Sequence, residues 1–243
     1  HLHGTFAKKV YKGSIVDGGL VLRAVSPDGE DGFPGNLELT VRYTLTDENA
    51  LVLDYTATTD APTIINLTNH SYFNLEGQSS GSMLEQTLCL NASTFTEGNA
   101  ETCPTGRILP VAGTPMDFTR AKPIGRDIQA EYSQLQMCGG YDHNFILDKE
   151  PGMLALAAVA RSEKTGITME TYTTQPGVQL YTSNSLQNDT RPGKTGGIYG
   201  RYQGFCLETQ HYPCTPSHPE FPSVELRPGE EYHETTIYKF LTE

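Results

Sequence analysis

The sequence has 243 residues, a formal net charge of −12, 37% hydrophobic residues and no tryptophan. The negative charge argues against nucleic acid and anionic membranes as partners, and no apolar run approaches the roughly 20 residues that a membrane-spanning helix needs. The five cysteines are odd in number and none are spaced as CxxC, which predicts reduced thiols in a cytoplasmic protein.

Short β-rich segments separated by turn residues run through most of the chain. The first three occupy residues 20–26, 37–46 and 51–59, with Pro-Asp-Gly, Pro-Gly-Asn and Asp-Glu-Asn turns between them. Residues 154–174 predict a β-hairpin with a charged, glycine-containing tip at residues 162–166. Helix is predicted only as a short turn within residues 118–129, where Pro123 and Gly125 interrupt it.

The succession of short strands continues to the end of the chain, without an internal repeat or a linker. Such a pattern predicts a large sandwich or barrel of antiparallel sheets, in which one sheet face can stay open as a concave floor. We therefore expect a single all-β domain over residues 1–243.

Two segments carry ionisable groups in settings that suit proton transfer. The first, INLTNHSYFNLEG at residues 65–77, places His70 among small hydrogen-bonding side chains. The second, GFCLETQHYP at residues 204–213, places Glu208 and Cys206 on one face of a strand, where partial desolvation would raise the pKa of Glu208 and favour a general base. From this strand alone a solvent-facing glutamate is the simpler interpretation, because charged strand residues are usually exposed.

Neutral hydrogen-bonding residues accompany these groups. Asp142 follows a Gly-Gly pair and could hold two ligand hydroxyls, although it also fits a turn or capping role. Gln175, Gln179 and Tyr181 lie around a Pro-Gly turn, and such amides and tyrosines suit a polyhydroxylated ligand as well as an ordinary polar hairpin. Together these residues favour proton transfer on a neutral polyol such as a sugar.

Seven histidines make a metal site an alternative to consider. His1 and His3 would share one face of a strand, and His70 or His143 could complete a three-histidine set. The chain has no HExxH motif and no cysteine pair, and it also lacks a glycine-rich phosphate-loop motif. We therefore expect no metal.

Six motifs in order along the chain together resemble the aldose 1-epimerase family. They are LHG at residues 2–4, NLTNHSYFNL at 66–75, YDHNFIL at 141–147, TTQPGVQLYTSN at 173–184, GFCLETQHYP at 204–213 and LRPGEEY at 226–232. The resemblance implies a galactose mutarotase-like β-supersandwich with the sugar in a cleft on a concave sheet. It also implies an isomerase that uses no metal and no organic cofactor and interconverts the α and β anomers of free hexoses such as galactose and glucose. We expect a monomer or homodimer.

The same resemblance implies roles for individual residues. The histidine of NHSYFN, His70, matches the catalytic acid and would start the reaction protonated, while the glutamate of LETQ, Glu208, matches the catalytic base. The histidine of LHG, His3, matches a second active-site histidine. The sugar-binding residues implied are Ser71, Tyr72, Asp142 and Gln179.

Three departures from the family pattern qualify these expectations. Thr5 replaces the second glycine of LHGG, and PCTPSHPEFP at residues 213–222 replaces a PDAxN loop at the rim, which leaves the preferred aldose open. Family members also carry a β-rich segment before LHGG that contributes strands and a sugar-contacting arginine. We therefore expect this chain to correspond to the larger C-terminal portion of the family domain and to be poorly active alone.

Three alternative functions stay open on the sequence. A hexose-6-phosphate 1-epimerase would need a cationic pocket, for which Lys122, Arg120 and Arg126 are the nearest residues. A non-catalytic sugar-binding fragment would bind the sugar without exchanging its anomers. Glycoside hydrolysis needs two facing carboxylates, for which Glu208 with Asp142 is a conceivable pair.

Overall fold

The computed structural model describes residues 3–186 and 190–242, and strands make up most of its regular structure. The strands are β1 Lys12–Val16, β2 Gly19–Ser26, β3 Leu37–Leu45, β4 Ala50–Thr59, β5 Thr63–Ile64, β6 Thr87–Leu90, β7 Thr94–Gly98, β8 Pro104–Pro110, β9 Lys122–Pro123, β10 Asp142–Ile146, β11 Ala155–Arg161, β12 Ile167–Thr173, β13 Gly177–Tyr181, β14 Cys206–Gln210, β15 Glu225–Leu226 and β16 Tyr232–Thr242. The helix α1 spans Ser133–Cys138, and 3-10 turns span Phe6–Lys8, Glu30–Gly32 and Thr215–Ser217. Over the described ranges, no helix combines the length and apolar character needed to cross a membrane.

The strands form two large sheets and one small one. The larger sheet has nine strands in the order β1-β2-β3-β4-β16-β12-β11-β6-β9, the second has five in the order β14-β13-β10-β7-β8, and β15 pairs with β5. Neighbouring strands are antiparallel throughout these sheets. The predicted all-β architecture of antiparallel sheets is therefore confirmed.

One hydrophobic core joins the two large sheets. Leu53 and Tyr55 of β4 belong to the same buried cluster as Phe95 of β7, Phe145 of β10 and Leu180 of β13. Since each of these side chains is almost entirely removed from water, the cluster supplies the apolar burial that stabilises the sandwich.

Strand β14 is fixed to the nine-stranded sheet through one of its faces. The Tyr238 hydroxyl of β16 donates a hydrogen bond of 3.0 Å to the Leu207 carbonyl, and the Thr209 and Thr236 hydroxyl oxygens lie 2.5 Å apart. Side chains alternate along a strand, so Cys206 and Glu208 project from the opposite face to Leu207 and Thr209. The local pattern therefore turns Glu208 away from the nine-stranded sheet.

The predicted hairpin over residues 154–174 is confirmed as β11 and β12. At its tip the Ser162 amide donates to the Ile167 carbonyl at 3.0 Å, and the Gly166 amide donates to the Ser162 carbonyl at 3.0 Å. The charged, glycine-containing tip thus closes the hairpin at the predicted position.

The predicted helical turn within residues 118–129 is wrong. This segment contains β9, which pairs with β6, and otherwise forms turns. The short helix α1 begins four residues later and ends at Gly139, which adopts a left-handed conformation at φ 63°. Because Gly has no Cβ, it adopts this helix-terminating conformation without steric cost.

Candidate active site

Two rows of side chains line the same face of three neighbouring strands in the five-stranded sheet. Glu208 of β14 lies opposite Gln179 of β13, and Gln179 lies opposite Asn144 of β10. Two residues further along the ladder, the second row consists of Cys206, Tyr181 and Asp142. Directly opposed residues of antiparallel strands point to one side, so strand register alone assembles this patch.

A hydrogen bond connects the two rows. Gln179 Nε2 donates to Asp142 Oδ1 at 2.7 Å, which holds the carboxylate and leaves the buried Gln179 Oε1 without a protein partner. Both polar atoms of the Asn144 amide are also buried without a protein partner. Buried polar groups are nearly always hydrogen-bonded, so these free donors and acceptors are ready to bind a polar ligand.

The segment that carries His70 has no regular secondary structure, yet it is anchored at both ends beside β14. Asn66 Nδ2 donates to the His211 carbonyl at 2.9 Å, and the His211 amide donates to Asn66 Oδ1 at 3.0 Å. At the other end, Phe73 and Phe205 exchange two backbone hydrogen bonds of 2.8 and 2.9 Å. These anchors place His70 over the face of β14 that carries Glu208.

The two nitrogens of the His70 ring face different partners on β14. Nδ1 lies 3.4 Å from the Cys206 sulfur, and Nε2 lies 3.6 Å from Glu208 Oε1. Cys206 is fully buried and Glu208 is only 8% exposed. The imidazole and the carboxyl are therefore close enough to deliver protons to two atoms of one small ligand.

Aromatic rings surround His70. Tyr72 stacks on it at a centroid separation of 5.1 Å and an interplanar angle of 22°, while Tyr181 approaches it edge-on at 6.1 Å. The His3 ring lies 5.1 Å from the His70 ring, also edge-on. Tyr72 remains 46% exposed, so it can offer an apolar face and a hydroxyl group to a ligand above the site.

Burial shifts the ionisation of the His70 and Glu208 pair. It raises the pKa of Glu208 to about 8, with a further contribution from the Asp142 carboxylate. Burial and the neighbouring His3 lower the pKa of His70 below its ordinary value. The neutral forms of both groups are thus favoured near pH 7, which differs from the expectation that His70 starts protonated.

Asp142 and Cys206 are also partly desolvated. Burial raises the pKa of Asp142, although the hydrogen bond from Gln179 and the nearby His3 act in the opposite direction. Burial, followed by the Glu208 and Asp142 carboxylates, raises the pKa of Cys206 strongly, so this thiol stays protonated. As a neutral thiol it can donate to His70 Nδ1, which leaves the proton of the neutral ring on Nε2.

The histidines considered for a metal site do not form one cluster. Among the described residues, His70, Cys206 and Glu208 bring ligand atoms to within 4.8 Å of one another. A single ion would nevertheless have to choose between two ring nitrogens that face different partners, and it would have to displace the proton of a buried thiol. His143 points away from this face into the core, where it lies edge-on to Phe95, and His1 lies outside the described residues. The absence of a metal stays a prediction.

Two of the three cations considered for a phosphate pocket are engaged elsewhere, and the third, Arg120, is exposed. Lys122 is 2% exposed and donates to Asp127 Oδ2 at 2.7 Å and to the Pro115 carbonyl at 2.6 Å. Arg126 also pairs with Asp127, at 2.9 Å. Asp127 thus offsets part of the positive charge of Lys122 and Arg126, which weakens their attraction for a phosphate group.

Comparison with known proteins is consistent with this geometry. The aldose 1-epimerase family model matches residues 1–239. The chain belongs to the aldose 1-epimerase family.

Curated members of this family resemble the chain over almost all of its length. It is 42% identical to the galactose mutarotase of Rattus norvegicus over 242 residues, which covers 98% of this chain and 68% of the rat protein. It is 39% identical to the aldose 1-epimerase of Escherichia coli K12 over 220 residues, covering 90% of this chain and 62% of that protein.

Solved structures of the family share the fold. The GalM/aldose epimerase homologue of C. elegans superposes with a TM-score of 0.85 at 30% identity, covering 96% of this chain and 69% of that one. The galactose 1-epimerase of Lactobacillus acidophilus superposes with a TM-score of 0.80 at 29% identity, covering 96% and 66%. The antiparallel sandwich is therefore the galactose mutarotase fold that the sequence motifs predicted.

The structure brings the predicted site residues together to different degrees. His3, His70, Tyr72 and Glu208 form one cluster, and Gln179 joins Asp142 to the same sheet face. Ser71 lies on the exposed side of the segment, where its amide donates to Asn69 Oδ1 at 3.1 Å. The interpretation of Glu208 as a solvent-facing residue is wrong, because the His70 segment covers it.

Sequence reasoning gave no site role to Cys206 or Asn144, and it considered Tyr181 only as one of several polar residues that suit a polyhydroxylated ligand. All three belong to the two rows defined by strand register. The period-two alternation in each motif could have revealed them, since Asn144 follows Asp142 by two positions and Cys206 precedes Glu208 by two.

Proposed function

We propose that this protein interconverts the α and β anomers of free aldoses such as galactose and glucose, with His70 and Glu208 as its proton-transfer pair. The observation that carries the proposal is the 3.6 Å approach of His70 Nε2 to Glu208 Oε1 in a partly buried site with free hydrogen-bonding groups beside it. Family membership supports the same reaction. We further propose that residues 1–243 form a single aldose 1-epimerase domain. The protein is proposed to be cytoplasmic and either a monomer or a homodimer.

The reaction needs two proton movements on one sugar. Glu208 takes the proton of the C1 hydroxyl while His70 gives a proton to the ring oxygen, and the bond between C1 and the ring oxygen breaks. The open-chain aldehyde then turns about its C1–C2 bond. Ring closure on the other face returns both protons, so the pair ends as it began.

In the active form, His70 and Glu208 share one transferable proton, so that one of the two groups is protonated and the other is its acceptor. At rest this proton lies on Glu208, because burial raises the pKa of Glu208 to about 8 and lowers the pKa of His70. Ring opening uses the other arrangement, in which His70 holds the proton, and ring closure uses the resting one. The enzyme should therefore be active over the pH range from the lowered pKa of His70 up to about pH 8. A plot of rate against pH should be bell-shaped.

The remaining residues position the sugar in this proposal. Asp142 and Gln179 bind ring hydroxyls through the carboxylate and the free amide oxygen. Tyr72 supplies an apolar face, and Ser71 lies on the exposed edge of the same segment. His3, edge-on to the His70 ring, stabilises negative charge on the ring oxygen or orients the acid.

Polarimetry of freshly dissolved α-galactose tests the proposal, after subtraction of the spontaneous rate. His70→Asn and Glu208→Gln should each lower kcat by about 10²–10⁴-fold, because each removes one proton-transfer group. His233→Asn is the matched control, since His233 is exposed on β16. Circular dichroism verifies that the variants are folded.

Two outcomes would contradict the assignment. Near wild-type rates in either site variant would exclude that residue as a proton-transfer group. A wild-type protein that binds galactose in calorimetry but does not exchange its anomers would instead be a sugar-binding module.

A further inference from the structure

The Asn144 side chain is buried beside the proposed sugar ligands, with no partner among the described residues. Asn144 is 2% exposed, and neither its Oδ1 nor its Nδ2 makes a hydrogen bond there. Its strand, β10, is paired through the backbone with β13 on one side and with β7 on the other. The amide is therefore not needed to hold the strand in its sheet.

The other buried amide side chains in the described part of the chain are fully bonded. Each of them uses both its oxygen and its nitrogen in hydrogen bonds within the protein, and they are Gln86, Gln134, Gln175 and Asn184. Buried polar groups without a partner are costly and rare. Asn144 therefore differs from the amides that support the fold, and its two free ends indicate a ligand.

A glycine on the neighbouring strand makes room for the Asn144 amide. A Cβ on Gly177 of β13 would lie 2.5 Å from Asn144 Oδ1 and 3.2 Å from Cδ1 of Tyr212. The backbone of Gly177 is not in the left-handed region, so its conformation does not require glycine. The missing side chain thus leaves the space in which the amide lies.

A small cavity lies against this amide. Gln179 and Asp142, the proposed sugar ligands, also line it, together with Thr102 and Pro213. Its volume of about 20 Å³ is enough for one water-sized group, which needs roughly 10–15 Å³. The buried Gln179 Oε1, also unbonded within the described chain, adds an acceptor to the donor of Asn144. The cavity therefore suits a single oxygen that both accepts and donates a hydrogen bond.

Strand register places Asn144 away from the reacting pair. Glu208, Gln179 and Asn144 are directly opposed across β14, β13 and β10. Neighbouring strands lie about 4.8 Å apart, so the row extends roughly 10 Å from Glu208 to Asn144. Since Glu208 and His70 are proposed to act at C1 and the ring oxygen, a sugar group that reaches Asn144 belongs to the far side of the ring. In an aldohexose the candidates are the hydroxyls on C3, C4 and C6.

We propose that Asn144, together with Gln179, binds one hydroxyl-type oxygen at the end of the site away from Glu208. Asn144 Nδ2 donates to this oxygen, and the oxygen donates to Gln179 Oε1. Where the oxygen is a hydroxyl of the sugar, the inference rests on the proposed function and makes Asn144 a specificity-determining residue for aldoses that carry this hydroxyl. An ordered water supplies the same chemistry and is the other source that the experiment separates.

Calorimetry with four sugars tests this contact. Galactose and its 3-deoxy, 4-deoxy and 6-deoxy derivatives are used at anomeric equilibrium, so that the heat reports binding alone. Asn144→Leu keeps the approximate size of the side chain without a polar atom, and it should weaken galactose binding about tenfold through the loss of one hydrogen bond. For one deoxy sugar the substitution should have no effect, because that sugar already lacks the hydroxyl. Asn91→Leu is the control, since Asn91 is exposed and lies outside the cavity.

Gly177→Ala provides a second variant in case Asn144→Leu does not fold, which circular dichroism verifies. The added Cβ would displace the Asn144 amide, so this variant should lose the contact with the same single hydroxyl. A general distortion of the site would instead weaken the binding of all four sugars alike.

If no single hydroxyl shows this pattern, a crystal structure of the sugar-free protein decides the outcome. An oxygen bonded to both Asn144 and Gln179 would identify ordered water as the ligand, whereas its absence would overturn the inference. Failure of the proposed function has a different signature. A protein that binds galactose without exchanging its anomers keeps the calorimetric result, and one that binds no sugar still leaves the crystal structure as the test.

Discussion

Replacing Glu208 with glutamine should stabilise the folded protein while removing its proposed activity. Glu208 is a buried carboxyl that faces a buried thiol, a partly buried imidazole and, along the same sheet face, the Asp142 carboxylate. An ionised group in such surroundings lacks the solvation it has in the unfolded chain. Glutamine keeps the size of the side chain but cannot ionise.

The raised pKa of Glu208 sets the size and the pH dependence of this effect. The ordinary value of 4.5 rises to about 8 in the folded protein, so the folded state holds the proton more tightly than the unfolded state. Ionisation of Glu208 therefore costs no stability below about pH 4.5. Above that pH, the free energy of unfolding falls as pH increases to about 8. At about 1.4 kcal/mol per pH unit, the loss is about 3 kcal/mol at pH 7 and about 5 kcal/mol above pH 8.

Urea unfolding at pH 5, 7 and 8.5 measures this cost directly. The free energy of unfolding of Glu208→Gln should match that of the wild type within about 1 kcal/mol at pH 5 and exceed it increasingly at pH 7 and 8.5. Glu38→Gln is the control, because Glu38 is exposed on β3 and pays no comparable burial cost. A difference between Glu208→Gln and wild type that stays constant with pH would refute the reasoning.

Two further predictions follow from the site and its supporting turn. Asp142→Asn removes a negative charge that helps to raise the pKa of Glu208. The alkaline limb of the profile of kcat/KM against pH should therefore move to lower pH. An unchanged limb would show that Asp142 does not act on Glu208. Gly140→Ala should cost roughly 1–3 kcal/mol in urea unfolding, because its φ is +143° and a Cβ would lie 2.3 Å from Asn184 Oδ1. Gly113→Ala, at φ +74° with nothing within 4 Å of a Cβ, is a comparison at positive φ without a clash, and equal losses in both variants would argue against the clash.

Local signals in the sequence predicted the strands well and the helix poorly. Alternation and a charged tip located β11 and β12, because both signals arise from residues close together in the chain. The helix α1 has six residues and lacks the apolar repeat of a longer amphipathic helix. One of its residues, Gln134, bonds the backbone of Gly98 through both ends of its amide, at 2.8 and 3.0 Å. Contacts of this kind depend on the tertiary fold.

The site shows where pattern reasoning stops without a family resemblance. The alternation of apolar and polar residues in β14 predicts that one of its faces is exposed to solvent. In the structure, however, its first four residues are all buried. One face packs on β16, and the segment that carries His70 covers the other. The approach of His70 to Glu208 is a property of that tertiary contact, which neither motif contains by itself. The family motifs supplied the pairing that residue patterns could not.

The double anchoring of the His70 segment makes the chemistry of the site inseparable from the length of one strand. Phe205 holds Phe73 just before β14, and His211 holds Asn66 just after it, so the anchors bracket Glu208. Deleting a single residue of β14 would turn the carboxyl towards the other sheet face and displace one anchor at the same time. The loop at residues 213–222 begins beyond this bracket, so a change in its sequence need not move either anchor. In the proposed function, substitutions in this loop would therefore leave the His70 and Glu208 pair in place.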